Sequence, residues 1–317
     1  MATRIEILRE MDRARVDRLR GAGEFFWADL DDSVKPQEIV DAFGIEPDAA
    51  AVLSDLSHTA SPRRRLHVES DLVVFAFSCA TNPEASAADA TASLGLERVN
   101  VLVHGDFILT CHRGTFDLAG IATPGGIRVG RSEHYAVYVV LDGMVSTMLD
   151  ALAAVEGQIA VLEQQLWGTG WRQRPSDQAM VRTLRSRLTE LRLKLGPEYG
   201  LFERIAQEME RIPTLTGDDH DYFERIRHQL EHAVERVDAA SETLANAVQV
   251  QLNETTYRLT IVATIFLPLS FVAGFFGMNF AWMVDEIDSP QAFWLLGVAL
   301  MVIPLIAFAM FVRLKRS

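Results

Sequence analysis

Small and polar side chains recur at every third or fourth position of an apolar stretch in the C-terminal part of the sequence. Because an α-helix turns once in about 3.6 residues, this spacing places them in one stripe on one helix face. The stripe, called the polar stripe below, consists of Asn253, Thr256, Thr260, Ala263, Leu267, Ser270 and Gly274. A charge-free helix with such a stripe has the chemistry of a hydrated pore wall. The alternative is that the hydroxyls bond to carbonyls of their own helix and that the small residues only allow close packing.

The same region, residues 259–279, contains no charged residue and is long enough to cross a membrane. A bilayer core requires about 20 apolar residues in helical form, since lipid cannot hydrogen-bond to exposed peptide groups. Residues 293–312 meet the same criterion and are followed by Arg313, Lys315 and Arg316. Two such segments with a basic flank favour membrane spans over the buried core helix of a soluble protein.

The basic tail, residues 313–317, determines the orientation that we expect. Positively charged segments tend to stay on the cytoplasmic side of a membrane. Two spans return the chain to its starting side, so we expect a multi-pass protein of the cytoplasmic (inner) membrane with both termini in the cytoplasm. The charged N-terminal residues agree, because they lack the apolar segment of a secretory signal. The linker, residues 280–292, is then expected to face outward.

The linker carries three carboxylates and no lysine or arginine. They are Asp285, Glu286 and Asp288. One helix cannot enclose a pore, whereas several copies around an axis can, so the polar stripe predicts a symmetric homo-oligomer. In such an assembly the three acidic residues would form a ring that concentrates cations at the mouth. Simple solubility is the alternative explanation for acidic residues in a loop.

The residues before the first span divide by their hydrophobic period. Residues 1–131 mix short helices with β-branched and aromatic runs that are typical of strands. The predicted strands lie at 24–30, 72–77, 99–103 and 107–111. Residues 132–258 keep a helical three-four spacing instead. The sequence therefore predicts an α+β membrane protein with an N-terminal cytoplasmic α/β domain, a long helical stalk and two C-terminal transmembrane helices per subunit.

Prolines and glycines set the predicted helix ends in the stalk. Gly196 and Pro197 predict the end or an interruption of its second helix. The last helix begins near residues 218–221, and neither proline nor glycine occurs between Tyr222 and Pro268. This pattern predicts one helix of roughly 55 to 60 residues that runs from the stalk into the first span. A helix of that length must pack against other helices or other subunits.

Composition and motifs exclude several functional classes. The formal net charge of −13 argues against a nucleic-acid surface. Cys79 and Cys111 lie far apart in sequence and have no spacing typical of a zinc site. Because no spacing typical of catalytic motifs occurs, we expect a protein that is not an enzyme and has no cofactor. His228 and His232, four residues apart on a helix, are the remaining candidates for a weak metal site.

The segment LTIVATIFLPLSFVAGFFGMNF, residues 259–280, resembles the membrane signature of the CorA family of divalent-cation transporters. Two spans, a basic tail, Asn253 and the mid-span Pro268 follow the plan of that family. More loosely, WADL at residues 27–30 and RRRLHVESDLVVFAF at residues 63–77 occur where the family has a similar arrangement of strands and a helix. The resemblance implies a homopentamer with a funnel-shaped cytoplasmic domain, embedded in a lipid bilayer, with divalent cations as partners.

The resemblance also assigns roles to single residues. It implies a selectivity filter at Gly277, Met278 and Asn279, where Asn279 holds a hydrated ion. Asn253 would form a ring at the inner mouth, and Leu259 and Leu267 would form constrictions that gate by dewetting. Cytoplasmic Mg²⁺ that holds the family's pore closed would have its acidic ligands among Asp218, Asp219, Asp221 and Glu224. Phe276 and Thr256 depart from the pattern, since many members carry tyrosine and methionine there.

The expected function is uptake of a divalent metal cation across the cytoplasmic membrane, with Mg²⁺ first and Co²⁺, Ni²⁺ or Zn²⁺ as further substrates. The bound cation would also serve as a regulatory ligand. One alternative is proton-coupled Zn²⁺ transport, as in the ZntB branch of the family. The other is a non-conducting, membrane-anchored sensor or scaffold whose long helices form a stalk.

Overall fold

A computed structural model describes most of the chain. The described residues are 5–31, 33–56, 66–69, 72–81, 94–113, 117–122, 133–168, 175–209, 220–278, 289, 291, 293–299, 302 and 306. The chain forms two compact units, Met1–Ala245 and Asn246–Ser317. The boundary predicted at residue 131 separates two kinds of element inside the first unit, because helices that follow it pack on the sheet that precedes it.

Six strands of the first unit form one mixed sheet. The strands are β1 (Glu6–Leu8), β2 (Phe26–Asp31), β3 (Leu66–Val68), β4 (Leu72–Ala80), β5 (Leu96–His104) and β6 (Phe107–His112). Their spatial order is β1-β2-β6-β5-β4-β3. The pairs β1–β2 and β2–β6 are parallel, whereas β6–β5, β5–β4 and β4–β3 are antiparallel. The four predicted strands correspond to β2, β4, β5 and β6.

Seven helices are described. They are α1 (Arg13–Ala22), α2 (Pro36–Phe43), α3 (Pro47–Leu56), α4 (Leu118–Ala122), α5 (Glu133–Gly168), α6 (Pro175–Met209) and α7 (His220–Phe276). The helices α1 and α2 end at Gly23 and Gly44, whose φ angles of 66° and 61° lie in the left-handed region that glycine adopts without strain.

The sheet is covered on both faces, which explains its apolar strands. Alternate side chains of β4 enter two separate cores, because successive residues of a strand point to opposite faces. Val73, Phe75 and Phe77 are buried with residues of α4 to α7. Val74 and Ala76 are buried with α1, α2 and α3. The sheet therefore carries one layer of short helices and one layer of long helices.

The helix α6 continues across Gly196 and Pro197, where the sequence predicted its end or an interruption. Proline removes one helical hydrogen bond, and burial of its neighbours offsets that loss. Leu195, Leu201 and Phe202 are all buried in the core. Glu198 is also buried, and its carboxylate accepts a hydrogen bond of 2.7 Å from the Ser78 hydroxyl. The tertiary packing of α6 thus outweighs the helix-breaking tendency of Gly196 and Pro197.

The helix α7 contains 57 residues, which confirms the predicted length. Within the first unit it buries one face against α5 and α6. The buried residues are Ile226, Leu230, Ala233, Val237, Ala240 and Leu244. In the second unit the described residues also include a π-helical turn at Phe293–Val298, at the start of the predicted second span. The remaining linker, most of that span and the tail lie largely outside the described residues.

Candidate functional site

The polar stripe lies on exposed surface of α7. All of its members are exposed in the isolated chain. The most apolar window of this helix has a mean hydropathy of 1.8, and 0% of it is buried. By contrast, the similarly apolar helix at Tyr135–Leu166 is 67% buried in its window, as expected for a core helix. The apolar part of α7 therefore needs an environment that the single chain does not supply.

The threonine hydroxyls of the stripe bond to carbonyls of their own helix. Thr256 Oγ1 donates to the carbonyl of Leu252 at 2.9 Å, and Thr260 Oγ1 donates to that of Thr256 at 2.9 Å. A hydroxyl that has donated its only proton still has lone pairs that accept. Water molecules around a cation point their hydrogens outward, so an acceptor surface is complementary to a hydrated cation. The hydrogen bonds from these hydroxyls to their own helix are therefore compatible with a pore-lining role.

An amide pair lies at the upstream end of the stripe. The side-chain Nε2 of Gln249 donates to Oδ1 of Asn253 at 3.0 Å, and both side chains are exposed. This bond orients the Asn253 amide along the helix. The sequence analysis did not select Gln249, although extending the three-four spacing one step upstream would have found it. We therefore add Gln249 to the candidate inner ring.

Two large apolar side chains flank the hydroxyls on the same part of α7. Leu259 is 66% exposed and Leu267 is 76% exposed. The two residues are eight positions apart, or about 12 Å along the helix axis. Side chains of this kind, repeated around an axis, form apolar constrictions that exclude water when narrow. Their exposure leaves both available for that role.

The helix ends one residue before the Gly277-Met278-Asn279 motif. The amide of Gly277 donates to the carbonyl of Ala273 at 3.0 Å, and that of Met278 donates to the carbonyl of Phe275 at 3.3 Å. A Cβ atom on Gly277 would lie 3.1 Å from the oxygen of Ala273, so a larger residue would crowd this turn. Asn279 lies outside the described residues, and its assignment stays a prediction.

The acidic candidates differ in how far the structure describes them. Asp218, Asp219, Asp285, Glu286 and Asp288 lie outside the described residues, as does the side chain of Asp221. Glu224 is described, and its carboxylate accepts two hydrogen bonds from Arg227, at 2.9 and 2.7 Å. This hydrogen bonding raises the pKa of Arg227. A metal ion at Glu224 would have to compete with that guanidinium.

Within the described ranges, no group of three or more histidine, cysteine, aspartate or glutamate side chains could hold a metal ion. His228 and His232 lie on the exposed side of α7. Their Nδ1 atoms are 3.6 Å and 3.2 Å from carboxylate oxygens of Glu231 and Glu235, respectively. These are separate contacts along one helix, three residues apart in each case, which is the usual spacing for surface charge pairs.

Polar contacts that are partly or fully buried hold the stalk helices to one another. Arg236 of α7 makes a two-pronged ion pair with Glu156 of α5, with distances of 3.1 and 2.6 Å, and its pKa is raised by these hydrogen bonds. Arg187 of α6 donates to Gln158 of α5 at 2.7 Å. Such paired guanidinium contacts fix the register between helices. The periodicity of the sequence did not identify these partners.

Comparison with curated proteins finds relatives among transporters of divalent cations. The chain is 31% identical over 203 residues to the cobalt/magnesium transport protein CorA of Thermotoga maritima, covering 61% of this chain and 54% of the relative. It is 30% identical over 169 residues to the divalent cation transporter CmaX of Pseudomonas aeruginosa, with coverages of 51% and 47%. The zinc transport protein ZntB of Yersinia enterocolitica is 25% identical over 191 residues, with coverages of 57% and 56%. The chain thus spans about half the length of these relatives.

Solved structures show the same fold. The complete CorA magnesium transporter from Methanocaldococcus jannaschii superposes with a TM-score of 0.59 at 20% identity, covering 90% of this chain and 89% of the other. The full-length CmaX protein has a TM-score of 0.59 at 19% identity, covering 92% and 88%. Both comparisons include the α/β domain and the helical stalk.

A sequence model of one protein family extends over nearly the whole chain. It matches residues 22–316 and is described as CorA-like Mg²⁺ transporter protein. The match includes strands β2 to β6, the long helices, the polar stripe and the Gly277-Met278-Asn279 motif. This chain therefore belongs to the CorA family.

Proposed function

We propose that this chain is the subunit of a homopentameric channel for divalent cations, with Mg²⁺ as its principal substrate. The observation that carries the proposal is the exposed polar stripe on the apolar part of α7, which is not buried within its own chain. Membership of a transporter family supports transport rather than catalysis. The divalent cation is the substrate and also the expected regulatory ligand.

The assembly follows from the two kinds of surface on α7. Five copies around an axis would turn their polar stripes inward and enclose a water-filled path. The bulky apolar side chains, including Phe266 and Phe271, would face residues 293–312 and lipid. Both are exposed in the single chain, at 65% and 74%. The first unit and both termini would then lie in the cytoplasm.

Ion recognition in this assembly would act on a hydrated cation. Mg²⁺ gives up its water reluctantly, so a pore of hydrogen-bond acceptors can pass it without stripping its shell. Asn279 would supply the outer ring of amide oxygens, and Asn253 with Gln249 the inner one. Leu259 and Leu267 would close the path by dewetting between them. Cytoplasmic Mg²⁺ bound by acidic residues near the start of α7 would favour the closed state.

Proton-coupled Zn²⁺ transport is a second candidate. It is favoured by the 25% identity over 191 residues to the zinc transport protein ZntB. Both functions use the same architecture, so flux measurements must separate them. The non-conducting scaffold is the third outcome of the same test.

The test is uptake of Mg²⁺ and of Zn²⁺ into liposomes that contain the purified protein, with and without a pH gradient. We expect Mg²⁺ entry that is independent of the gradient. Zn²⁺ entry that requires the gradient would instead assign the ZntB-type activity. If intact oligomers pass neither ion, the chain is a scaffold and the channel proposal fails.

The Asn279→Ala variant tests the proposed selectivity site in the same assay. We expect Mg²⁺ uptake to fall by at least about tenfold, since a ring of charge-dipole contacts to the hydrated ion is lost. The oligomer should stay intact, as checked by its elution volume. Unchanged uptake in this variant would contradict the assignment of Asn279. Gln251→Ala, which changes an amide on the opposite side of α7, is the control.

A further inference from the structure

One large apolar side chain projects from the surface of the stalk. Leu193 of α6 is 69% exposed, whereas the buried leucines next to it in sequence, Leu191 and Leu195, are at most 1% exposed. A single exposed leucine is common on protein surfaces. Its surroundings therefore decide whether it has a function.

Leu193 lies at the centre of a stripe on the face of α6 that points away from the core. The members recur every three or four residues, so they share one helix face. We call this set the outer stripe of α6: Arg182, Ser186, Thr189, Leu193, Pro197, Gly200 and Arg204. The opposite face holds the buried residues Leu184, Leu188, Leu191 and Leu195. Pro197 is partly buried and the other members are exposed, so Leu193 forms a knob with a guanidinium group at each end of its stripe.

The backbone beside this knob is also open to an approaching helix. Pro197 lies inside α6 and has no N–H group, so the carbonyl of Leu193 lacks its usual helical donor. A Cβ atom on Gly196 or Gly200 would meet no atom of the described chain within 4 Å. Small residues of this kind let two helix backbones approach closely.

A stripe of complementary shape lies on α5. Its members also recur every three or four residues and lie opposite the core residues Leu152, Val155 and Ile159. We call this set the smooth stripe of α5: Asp142, Ser146, Asp150, Ala153, Gly157, Ala160 and Gln164. The first two members are partly buried, and the others are exposed. At the centre of the smooth stripe no side chain extends beyond a methyl group, so the surface offers a shallow hole for a leucine.

The outer stripe and the smooth stripe cannot fill each other within one chain. Both face away from the core that α5 and α6 share, so the knob of one copy can meet the hole only of another copy. A contact between two different faces is heterologous, and such contacts form a closed ring when the rotation closes. A second copy of this chain is therefore the partner that fits both stripes.

The heights of residues along the stalk predict the register of this contact. Six residues, 169–174, connect two helices of 36 and 35 residues that pack together, so α5 and α6 run antiparallel. Arg187 donates to Gln158 at 2.7 Å, which places these two residues at the same height. Rotation about an axis along the stalk leaves heights unchanged. Counting from this pair therefore places Leu193 of one copy beside Ala153 of the next.

The same count brings the charged ends of the outer stripe to polar groups of the smooth stripe. Arg204 falls beside Asp142, and Arg182 falls beside Gln164. The Asp142 carboxylate accepts a hydrogen bond of 3.3 Å from the Tyr138 hydroxyl and has capacity for further donors. An ion pair at one end and a charge-assisted hydrogen bond at the other would support the register. Shape and charge thus favour the same alignment.

We propose that the outer stripe of α6 docks on the smooth stripe of α5 in the next copy of this chain, with Leu193 seated beside Ala153. The contact rests on the oligomer of the proposed function but not on ion passage. It joins neighbouring copies through a surface separate from the polar stripe of α7.

Crosslinking between two distinguishable chains tests this contact in the full-length protein in detergent. One chain carries Leu193→Cys, and the other carries Ala153→Cys and a longer tag. A short bismaleimide should join the two chains in the mixed oligomer, whereas neither variant alone should crosslink. The natural Cys79 and Cys111 are buried, so the wild-type chain should stay uncrosslinked.

Native mass spectrometry of the same samples separates the outcomes. A monomer would overturn both the contact and the proposed assembly. An intact oligomer without the mixed product, or with equal crosslinking of the Leu193→Cys chain alone, overturns this contact only. A mixed product from an oligomer that passes no ion keeps the contact and contradicts the transport proposal.

A charge exchange tests the register. Arg204→Glu in the Leu193→Cys chain should slow formation of the mixed product by about threefold to fivefold, because it brings two carboxylates together. Adding Asp142→Arg to the Ala153→Cys chain should restore the rate. The matched control is Arg185→Glu, at an exposed position of α6 about a quarter turn away from the outer stripe. Equal slowing by both glutamate variants, or no recovery in the exchanged pair, overturns the register.

Discussion

At the scale of single residues, the hydroxyls of Thr256, Thr260 and Thr264 on α7 donate their protons to carbonyls of their own helix. This orientation bears on how the polar stripe could contact a hydrated ion. Thr260 donates its proton to the carbonyl of Thr256, and Thr264 donates to that of Thr260 at 2.7 Å. Each oxygen can then act only as an acceptor toward anything outside the helix. The sequence alone left back-bonding and pore lining as alternatives. The geometry shows the hydrogen bonds to the helix's own carbonyls and leaves each oxygen able to accept, as pore lining would require.

Replacing Thr260 with valine tests the acceptor role. Valine keeps the shape and removes the oxygen, so we expect Mg²⁺ uptake by liposomes to fall by about threefold to tenfold. Thr255→Val is the matched control, because Thr255 is exposed and back-bonded to Gln251 at 3.0 Å but lies off the stripe. Equal effects of the two variants would show that the stripe does not face the ion.

At the scale of elements, one buried carboxylate connects two strands and a helix. Asp29 of β2 accepts hydrogen bonds from the Thr110 hydroxyl of β6 at 2.5 Å and from the amide of Ala119 in α4 at 3.1 Å. It also contacts His112, as described above. Burial opposes protonation of His112, but the hydrogen bond and charge of Asp29 outweigh it and the pKa of His112 is raised. The pair therefore adds stability when the histidine is charged.

The stability of the first unit should depend on pH through His112. A raised pKa in the folded state gives stability that is fully present below the unfolded value of 6.5 and is lost as pH rises through the folded value. His112→Gln should lower stability by about 1.5 to 3 kcal/mol at pH 6 and flatten this dependence. Urea unfolding of the full chain between pH 5.5 and 8.5 measures it. His232→Gln, at an exposed position, should retain the wild-type slope.

At the scale of the whole molecule, the apolar surface of α7 requires other subunits or lipid. The exposed side chains include Leu259, Phe266, Leu267, Phe271 and Phe275. Monomeric soluble proteins rarely expose contiguous apolar surface of this extent. Packing of five such helices would hide the polar stripe from lipid and the apolar faces from water. The apolar surface of this helix therefore needs a lipid or subunit environment that the single chain does not supply.

Native mass spectrometry of the detergent-solubilised protein tests the assembly. We expect a species of about five times the chain mass of 35.3 kDa, since the proposed pore requires a closed ring. Removal of Mg²⁺ should leave the number of subunits unchanged while altering the shape. A monomer or dimer at micromolar concentration would exclude the enclosed pore.

Structural features that depend on residues close together in the chain were predictable from the sequence. The four strands and the length of α7 follow from local spacing and from the absence of proline and glycine. The continuation of α6 past Pro197 was not predictable, because burial of its neighbours decides it. Leu259 and Leu267 are exposed, and their role as constrictions stays a prediction.

The sequence by itself determined the apolar helix, its polar stripe and the family motif, because these are relations between residues three or four positions apart. Only the tertiary structure decided that α5 and α6 cover the sheet and that Asp29 meets Thr110, His112 and Ala119. These groups lie up to about ninety residues apart along the chain, as for Asp29 and Ala119. Their meeting depends on strand order and register, which single-residue preferences do not encode.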